Sequence, residues 1–313
     1  MATMRALRAH TRGGPEVLVY ESAPRPTPKT DELLIAVHAA GITFDELTWP
    51  ETWSADGVDR TPIVPSHEFS GVVAEVGGGV TDVSVGDEVY GLVPFDRDGA
   101  AAEYVRVPAG FVAAKPRTVS HVVAAAAALP ALTAWEALVE HAAVEEGDRV
   151  LVHGSAGGVG AFVTQLATAL GARVTGVAHT KDVAYVRSLG AERVIDIDHQ
   201  ALDAERGVFD LAIDAVGALT PEPLFAALRR GGRLLVLQEP PSQELADKYG
   251  VTADFFIVTA DRESLECLAE MIDAGKLQVA VAATFPLAEG RAAYESRATT
   301  RRRPGKTVLV VRA

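Results

Sequence analysis

Between Val150 and Ala167 the chain reads VLVHGSAGGVGAFVTQLA, and this stretch constrains the fold more than any other. An apolar run that reads as a strand closes at His153. Gly154, Gly157, Gly158 and Gly160 follow, and then an amphipathic helix begins. Glycine at such a turn lets the backbone bend sharply and approach a ligand with no Cβ in the way. The helix N-terminus adds unpaired N–H groups and the positive end of a dipole. The spacing departs from strict Gly-x-Gly-x-x-Gly, and a glycine-rich turn alone is weak evidence. Its setting strengthens it. Downstream, RVTGVA, ERVIDI, FDLAIDAVG and RLLVLQ read as strands, with DVAYVRSLG and PEPLFAALRRGG as helices among them. Short, charge-poor strands alternating with helices indicate a parallel sheet covered on both faces. A glycine turn at the head of such a series is expected to carry a dinucleotide pyrophosphate on Gly154, Ser155, Ala156, Gly157, Gly158, Val159 and Gly160. The alternative is a tight turn without a ligand.

The second strand bears on which dinucleotide. An NAD site usually places Asp or Glu about 20 residues beyond the glycines, where that strand ends. Here the segment is VTGVAHTK, Val174–Lys181, with no carboxylate before Asp182. His179, Thr180 and Lys181 would instead receive a 2′-phosphate, the lysine as a point charge. The expected cofactor is NADP(H). The competing reading of Lys181 is a surface residue at a helix start.

The front of the chain has a different texture. From Met4 to about Val119, short β-rich segments are divided by Gly and Pro: ELLIAVHAAGI, SGVVAEVG, GDEVYGLV and AEYVRVPA. They predict an all-β region, a partly open barrel or sandwich. From about Ser120, HVVAAAAAL and AWEALVEHAA read as helices parted by a turn at Pro130. The final GKTVLVVRA reads as a strand that rejoins the first region. The expected division is 1–119, completed by about 280–313, and 120–279. A chain of 313 residues, 48% hydrophobic, has material for two domains.

Composition excludes some partners. A net charge of -13 argues against nucleic acid and favours a freely diffusing protein. Arg301–Arg303 reads as a solvated loop. The one cysteine, Cys267, can form no disulfide within the chain, so a reducing cytoplasm is expected. MATMRALRAH lacks an apolar core and does not read as a signal peptide. The charge-poor run Val119–Trp135 falls short of the roughly 20 apolar residues of a membrane span. It is mostly alanine and contains Pro130, so no membrane association is expected.

Taken in order, SHEFSGVVAEVG, GDEVYGL and HGSAGGVG resemble the medium-chain dehydrogenase/reductase superfamily. Within it the chain is similar to the zinc-free quinone oxidoreductase (zeta-crystallin-like) branch, over nearly its whole length. The resemblance implies an α/β fold: a GroES-like β-rich catalytic domain plus a Rossmann domain with a doubly wound parallel sheet, and an active site in the cleft. A homodimer is expected. The resemblance places Thr43 where that branch often has an Asn near the nicotinamide, with Thr133 also on the nicotinamide side. It places Val216, Gly217, Leu237 and Gln238 beside the nicotinamide ribose. Phe256 and Ile257 fall near the carboxamide, and Arg297 is a late cofactor contact. Ile197 stands where some relatives stack a Tyr near the adenine.

The same resemblance bears on the adjacent His67 and Glu68 in VPSHEFSGVV. Zinc-dependent relatives pair that His with a Cys after the AAGI-like strand and with a Cys or Asp before the second domain. Here the first position is Thr43, and AALPALTAW offers neither. A stable zinc site has three or four protein ligands, so no metal is expected. His67 either lines the cleft and bonds substrate or cofactor, or is a satisfied polar group at a strand end. Trp49 and Trp53, in DELTWPETWSADG, either roof the cleft or anchor their loop on the domain. Without a Lewis acid, the feasible reaction is hydride transfer to a small electrophile, a quinone or an α,β-unsaturated carbonyl. Thr43, His67 or water would then donate a hydrogen bond to the developing anion. The alternatives are an enoyl reductase on a carrier-bound or polyketide-like substrate, and a non-catalytic NADPH-binding sensor.

Overall fold

The alternating apolar runs of the first region pair as expected. The computed structural model describes residues 2–217, 221–298 and 303–312. By contact the chain falls into two units. The first comprises 1–129, 259–275 and 279–313. Its principal sheet has seven strands. Glu32–Ile42 pairs antiparallel with Glu68–Val76, with Tyr104–Pro108 and with the C-terminal strand Lys306–Val310. The chain end therefore does return to the first region, and its register sets Thr307 opposite Ile42. Tyr104–Pro108 buries every second residue, as a strand with one core face should. Val105 and Val107 join Ile35, Val37, Phe69 and Leu309 in one core.

The second unit comprises 130–258 and 276–278. Its six parallel strands lie in the order Arg193–Asp196, Arg173–Ala178, Arg149–His153, Phe209–Asp214, Leu228–Val236, Thr252–Phe255. This is the doubly wound order 3-2-1-4-5-6, whose direction reverses beside Arg149–His153. That strand is buried through Val150, Leu151 and Val152, which explains its uninterrupted apolar sequence.

Three local features differ from what the sequence texture suggests. First, division by contact differs from division by sequence texture, because the helix Arg262–Asp273 packs with the first unit. There Tyr90 donates to the Leu265 carbonyl at 2.5 Å, and Asp273 accepts from the backbone N–H groups of Arg117 and Thr118. Second, Pro130 ends nothing. His121–Trp135 is one helix containing Pro130, continued by a wider turn, Glu136–His141. Proline removes one helical donor, but the alanines around it are buried on all sides and hold the helix together. By length and composition His121–His141 could cross a membrane, yet most of its apolar stretch is buried inside the fold. Third, LRRGG, Leu228–Gly232, is not helix. The helix stops at Ala227 and a strand starts at Leu228, with a bulge that carries Arg229–Gly232 out of register. Of the basic run, Arg301 and Arg302 lie outside the described residues, and Arg303 is exposed.

Candidate active site

Parallel register brings the C-terminal ends of the second unit's strands into one row. His153 pairs with Val177 and Asp214, Ala178 with Asp196, Asp214 with Val236, and Val236 with Phe255. The residues that follow these ends therefore emerge along one edge. They include the glycine loop, His179–Lys181, Val216–Gly217, Leu237–Gln238 and Phe256–Ile257. Ligands of open α/β sheets bind at this edge, where the strand order reverses.

The glycines of the loop have separate tasks. Gly154 has φ +79°, which disfavours a side chain. A Cβ on Gly160 would lie 2.2 Å from the Gly154 carbonyl oxygen, so Gly160 lets the helix Gly158–Ala169 close onto the loop. A Cβ on Gly157 would meet only that same oxygen, at 3.1 Å, and Gly157 is exposed. Its missing side chain leaves room for something outside the protein. Ser155 is buried, with its hydroxyl donating to the Val177 carbonyl at 2.9 Å, so it fastens the loop to the second strand. Ala156, Gly158 and Val159 are partly exposed. A pyrophosphate fits this loop: the backbone can approach it, and helix N–H groups face it.

Asp214 organises the neighbouring turn. Its buried carboxylate meets His153 Nδ1 at 2.9 Å and accepts from the N–H of Val216 at 3.0 Å. Val216 and Ile257 are large apolar side chains left exposed. Gly217 has φ +69°, and a Cβ there would lie 2.4 Å from Gln238 Cβ. Leu237 donates its N–H to the Asp214 carbonyl. Phe256 is half-buried and packs on the His141 ring at 4.3 Å. Thr133 is buried within its helix.

The adenosine end departs from the sequence reading. The second strand carries no carboxylate, but the end of the third strand and the turn after it supply two, Asp196 and Asp198. Asp198 receives the Thr180 N–H at 2.9 Å and meets His179 Nδ1 at 2.8 Å. Asp196 receives the Thr180 hydroxyl at 2.8 Å and 2.9 Å on its two oxygens. The His179 contact, then the Thr180 N–H, pull Asp198 down to about 2, so it is ionised. His179 and Thr180 are thus engaged. Lys181 is exposed, and its side chain has no hydrogen bond or ion pair among the described residues. Ile197 is exposed beside them.

The first unit holds a different arrangement, a buried polar cluster. Thr43 follows the strand Glu32–Ile42 and is partly exposed; its Oγ1 accepts from Lys306 Nζ at 3.0 Å. Lys306 also pairs with Glu68 Oε1 at 2.5 Å, and Glu68 is 1% exposed. Glu68 Oε2 accepts weakly from the Leu129 N–H at 3.4 Å. Gly41 makes this possible, since a Cβ there would lie 2.6 Å from Glu68 Cδ. Burial raises the Glu68 carboxyl while Lys306 pulls it back.

Beside them Glu46, also 1% exposed, accepts from Tyr294 Oη at 2.5 Å and from the N–H groups of Ser66 at 2.7 Å and Thr43 at 3.3 Å. Burial outweighs these donors and pushes its carboxyl up to about 7. Ser66, a non-glycine at φ +70°, is held by that N–H bond and by its hydroxyl, which donates to the Gly41 carbonyl. His67 Nε2 lies 4.0 Å from Glu46, and its buried Nδ1 has no hydrogen-bond partner among the described residues. Burial first, then the charge of Arg60, depress it to about 4, so His67 is neutral near pH 7. Both sequence readings of His67 stay open: its Nδ1 lacks a partner by strict geometry, yet the Val93 and Pro94 carbonyls lie close enough to favour its charged form. Its ring packs on Phe95 at 5.0 Å, and Trp49 meets Phe95 edge-on at 5.5 Å. Trp53 does not suit the roof reading: it is 3% exposed and donates its indole N–H to the Leu47 carbonyl at 2.8 Å, anchoring the loop. Arg297 forms an ion pair with Asp45 in this unit.

These side chains do not fit a zinc ion. Thr43 stands where a thiolate would be needed. Lys306 already holds Glu68, and an ammonium beside the carboxylate opposes a second cation. Among the described residues no three His, Cys, Asp or Glu side chains converge as a ligand set. Sequence reasoning missed Glu46, Tyr294 and Lys306. The only signal was the lysine opening the final strand, which the antiparallel register brings beside Thr43.

Comparisons with known proteins agree with the fold. Residues 29–117 match the family described as alcohol dehydrogenase GroES-like domain, and 189–309 match the one described as zinc-binding dehydrogenase. The NAD(P)H oxidoreductase RTN4IP1, mitochondrial, of Bos taurus is 30% identical, over 90% of this chain and 82% of its own. The NADPH-dependent alkenal/one oxidoreductase, chloroplastic, of Arabidopsis thaliana is 31% identical, over 90% and 72%. The structure of the quinone oxidoreductase from Coxiella burnetii superposes with a TM-score of 0.91 at 29% identity, covering 99% of this chain and 100% of that one.

Proposed function

Because the chain belongs to the medium-chain dehydrogenase/reductase superfamily, in its quinone oxidoreductase branch, and is an oxidoreductase of NAD(P)H type, we propose that it reduces a quinone or an α,β-unsaturated carbonyl with NADPH and without a catalytic metal. The observation that carries this reading is the polar cluster. Where a metal-dependent alcohol dehydrogenation needs a Lewis acid, this chain offers a threonine hydroxyl backed by a lysine. A hydroxyl donor suits an acceptor that is already electron-poor, because only the anion formed on reduction needs stabilising.

NADPH, when bound, supplies the hydride. The chain supplies the rest. The glycine loop and the helix Gly158–Ala169 would hold the pyrophosphate, and Asp214 fixes the turn that carries Val216 and Gly217. Lys181 would meet the 2′-phosphate. Because Asp196 and Asp198 occupy Thr180 and His179, the preference for NADPH rests on Lys181 and is opposed by two carboxylates. On the acceptor side, Thr43 O–H would donate to the oxygen that becomes anionic, and water would deliver the final proton. A single cysteine and a net charge of -13 support a freely diffusing protein in a reducing compartment.

The test is reduction of a small quinone and a small enone with NADPH deuterated at the transferable position. The expected product of the enone carries one deuterium at its β-carbon. NADPH binding with no oxidation in the presence of any such acceptor would instead support a sensor.

A further inference from the structure

We propose that Lys306 is a positioning residue that turns Thr43 into a charge-assisted hydrogen-bond donor, with Glu68 holding the lysine in place. The inference rests on the functional reading above and deepens it by assigning Lys306 and Glu68 separate tasks.

A threonine hydroxyl has one proton and two lone pairs, and its proton rotates toward whichever acceptor is best. Lys306 has only protons to give. Its Nζ lies 3.0 Å from Thr43 Oγ1, so Thr43 must be the acceptor in that contact. This fixes a lone pair inward and leaves the O–H directed elsewhere. Thr43 is partly exposed, whereas Lys306 is buried, so the remaining direction leads away from the cluster. A cation on the oxygen also makes the O–H a stronger donor.

Two features show that the lysine is held rather than merely tolerated. Glu68 grips it at 2.5 Å from a site 1% exposed. Gly41, the only residue type that leaves room for the Glu68 carboxylate, sits opposite Glu68 in the antiparallel pair. Three separate segments, 41–43, 68 and 306, thus converge on one hydroxyl. In the reaction, hydride adds to the conjugated carbon and the displaced electron pair moves to the acceptor oxygen. That oxygen receives the Thr43 O–H bond while negative, and then a proton from water. Lys306 keeps its protons throughout. Its role is to aim and strengthen the donor.

The test compares Thr43→Val, the paired variant Lys306→Met with Glu68→Gln, and the triple combination. Removing both charges together avoids stranding a buried ion, so the fold should survive, which thermal melting checks. Thr43→Val should lower kcat about 10²-fold with KM within about threefold, as loss of one anion-stabilising donor does. The paired variant should lose nearly as much, and the triple no more than Thr43→Val alone, because Lys306 acts only through Thr43. Thr43→Ser should retain most of kcat. Full activity in the folded paired variant, or losses that multiply in the triple, would overturn the proposal while leaving the reductase reading intact. An unaltered protein that oxidises no NADPH with quinones or enones would overturn both.

Discussion

The two candidate sites are built by opposite means. At the sheet edge of the second unit, the working groups are mainly backbone: glycines, a helix N-terminus, and N–H groups fixed by Asp214. The chain reaches that edge in short consecutive runs. In the first unit the groups are side chains from residues 43–46, 66–68, 294 and 306, brought together by the sheet, the final strand and the helix Gly290–Glu295. Holding a pyrophosphate, as proposed, requires the edge to stay open, so that task is sensitive to added atoms. The cluster must balance charge without water, so it is sensitive to charge and pH.

The largest effects should come from filling the edge. Gly157→Val should raise the Kd for NADPH at least about a hundredfold, roughly 3 kcal/mol, with little change in melting temperature. Gly160→Val should instead damage the fold, because its Cβ would be forced against the Gly154 carbonyl. Titration calorimetry beside thermal melting separates the two. If Gly157→Val binds normally, the loop is only a turn.

Next comes the charge balance of the cluster. An acid held at about 7 in the folded chain stabilises it fully below about pH 4.5 and loses that contribution as pH rises through 7. His67, depressed to about 4, acts the other way and costs stability as pH falls from 6.5 toward 4. Comparing Glu46→Gln with the unaltered protein cancels the histidine. Between pH 5 and pH 8 the variant should gain relative stability of up to about 3 kcal/mol in urea unfolding. A difference independent of pH would mean that Glu46 titrates normally.

Smaller effects distinguish the ends of the cofactor edge. Lys181→Ala should weaken NADPH, and not NADH, by about 5–30-fold, the range of one charge-assisted contact. Asp198→Asn should strengthen NADPH by a few fold, since it removes an ionised group from the same place. Equal affinities for the two cofactors in the unaltered protein would end the case for NADPH.

What the sequence disclosed follows the same contrast. The glycine loop, the strand–helix alternation and the returning strand Lys306–Val310 were legible because local spacing and periodicity encode them. Asp198 was not legible because spacing points only to the end of the second strand, whereas parallel pairing sets the end of the third strand at Asp196 and the turn after it carries Asp198. The Glu46–Tyr294 contact joins residues 248 apart, and no local pattern announces it. ALRRGG looked like the end of a helix because a helix stop and the glycine bulge of a strand use the same residues. Pro130 looked like a breaker because burial among alanines cannot be read from proline itself.

The central claim is hydride transfer to an electron-poor acceptor without metal, and the direct measurement is metal content and turnover in the same sample. Protein exposed to excess zinc, desalted and then treated with a strong chelator should contain far less than one zinc per chain. It should oxidise NADPH with a small quinone at the same rate before and after chelation. One zinc per chain, lost together with turnover and restored with it, would contradict the claim.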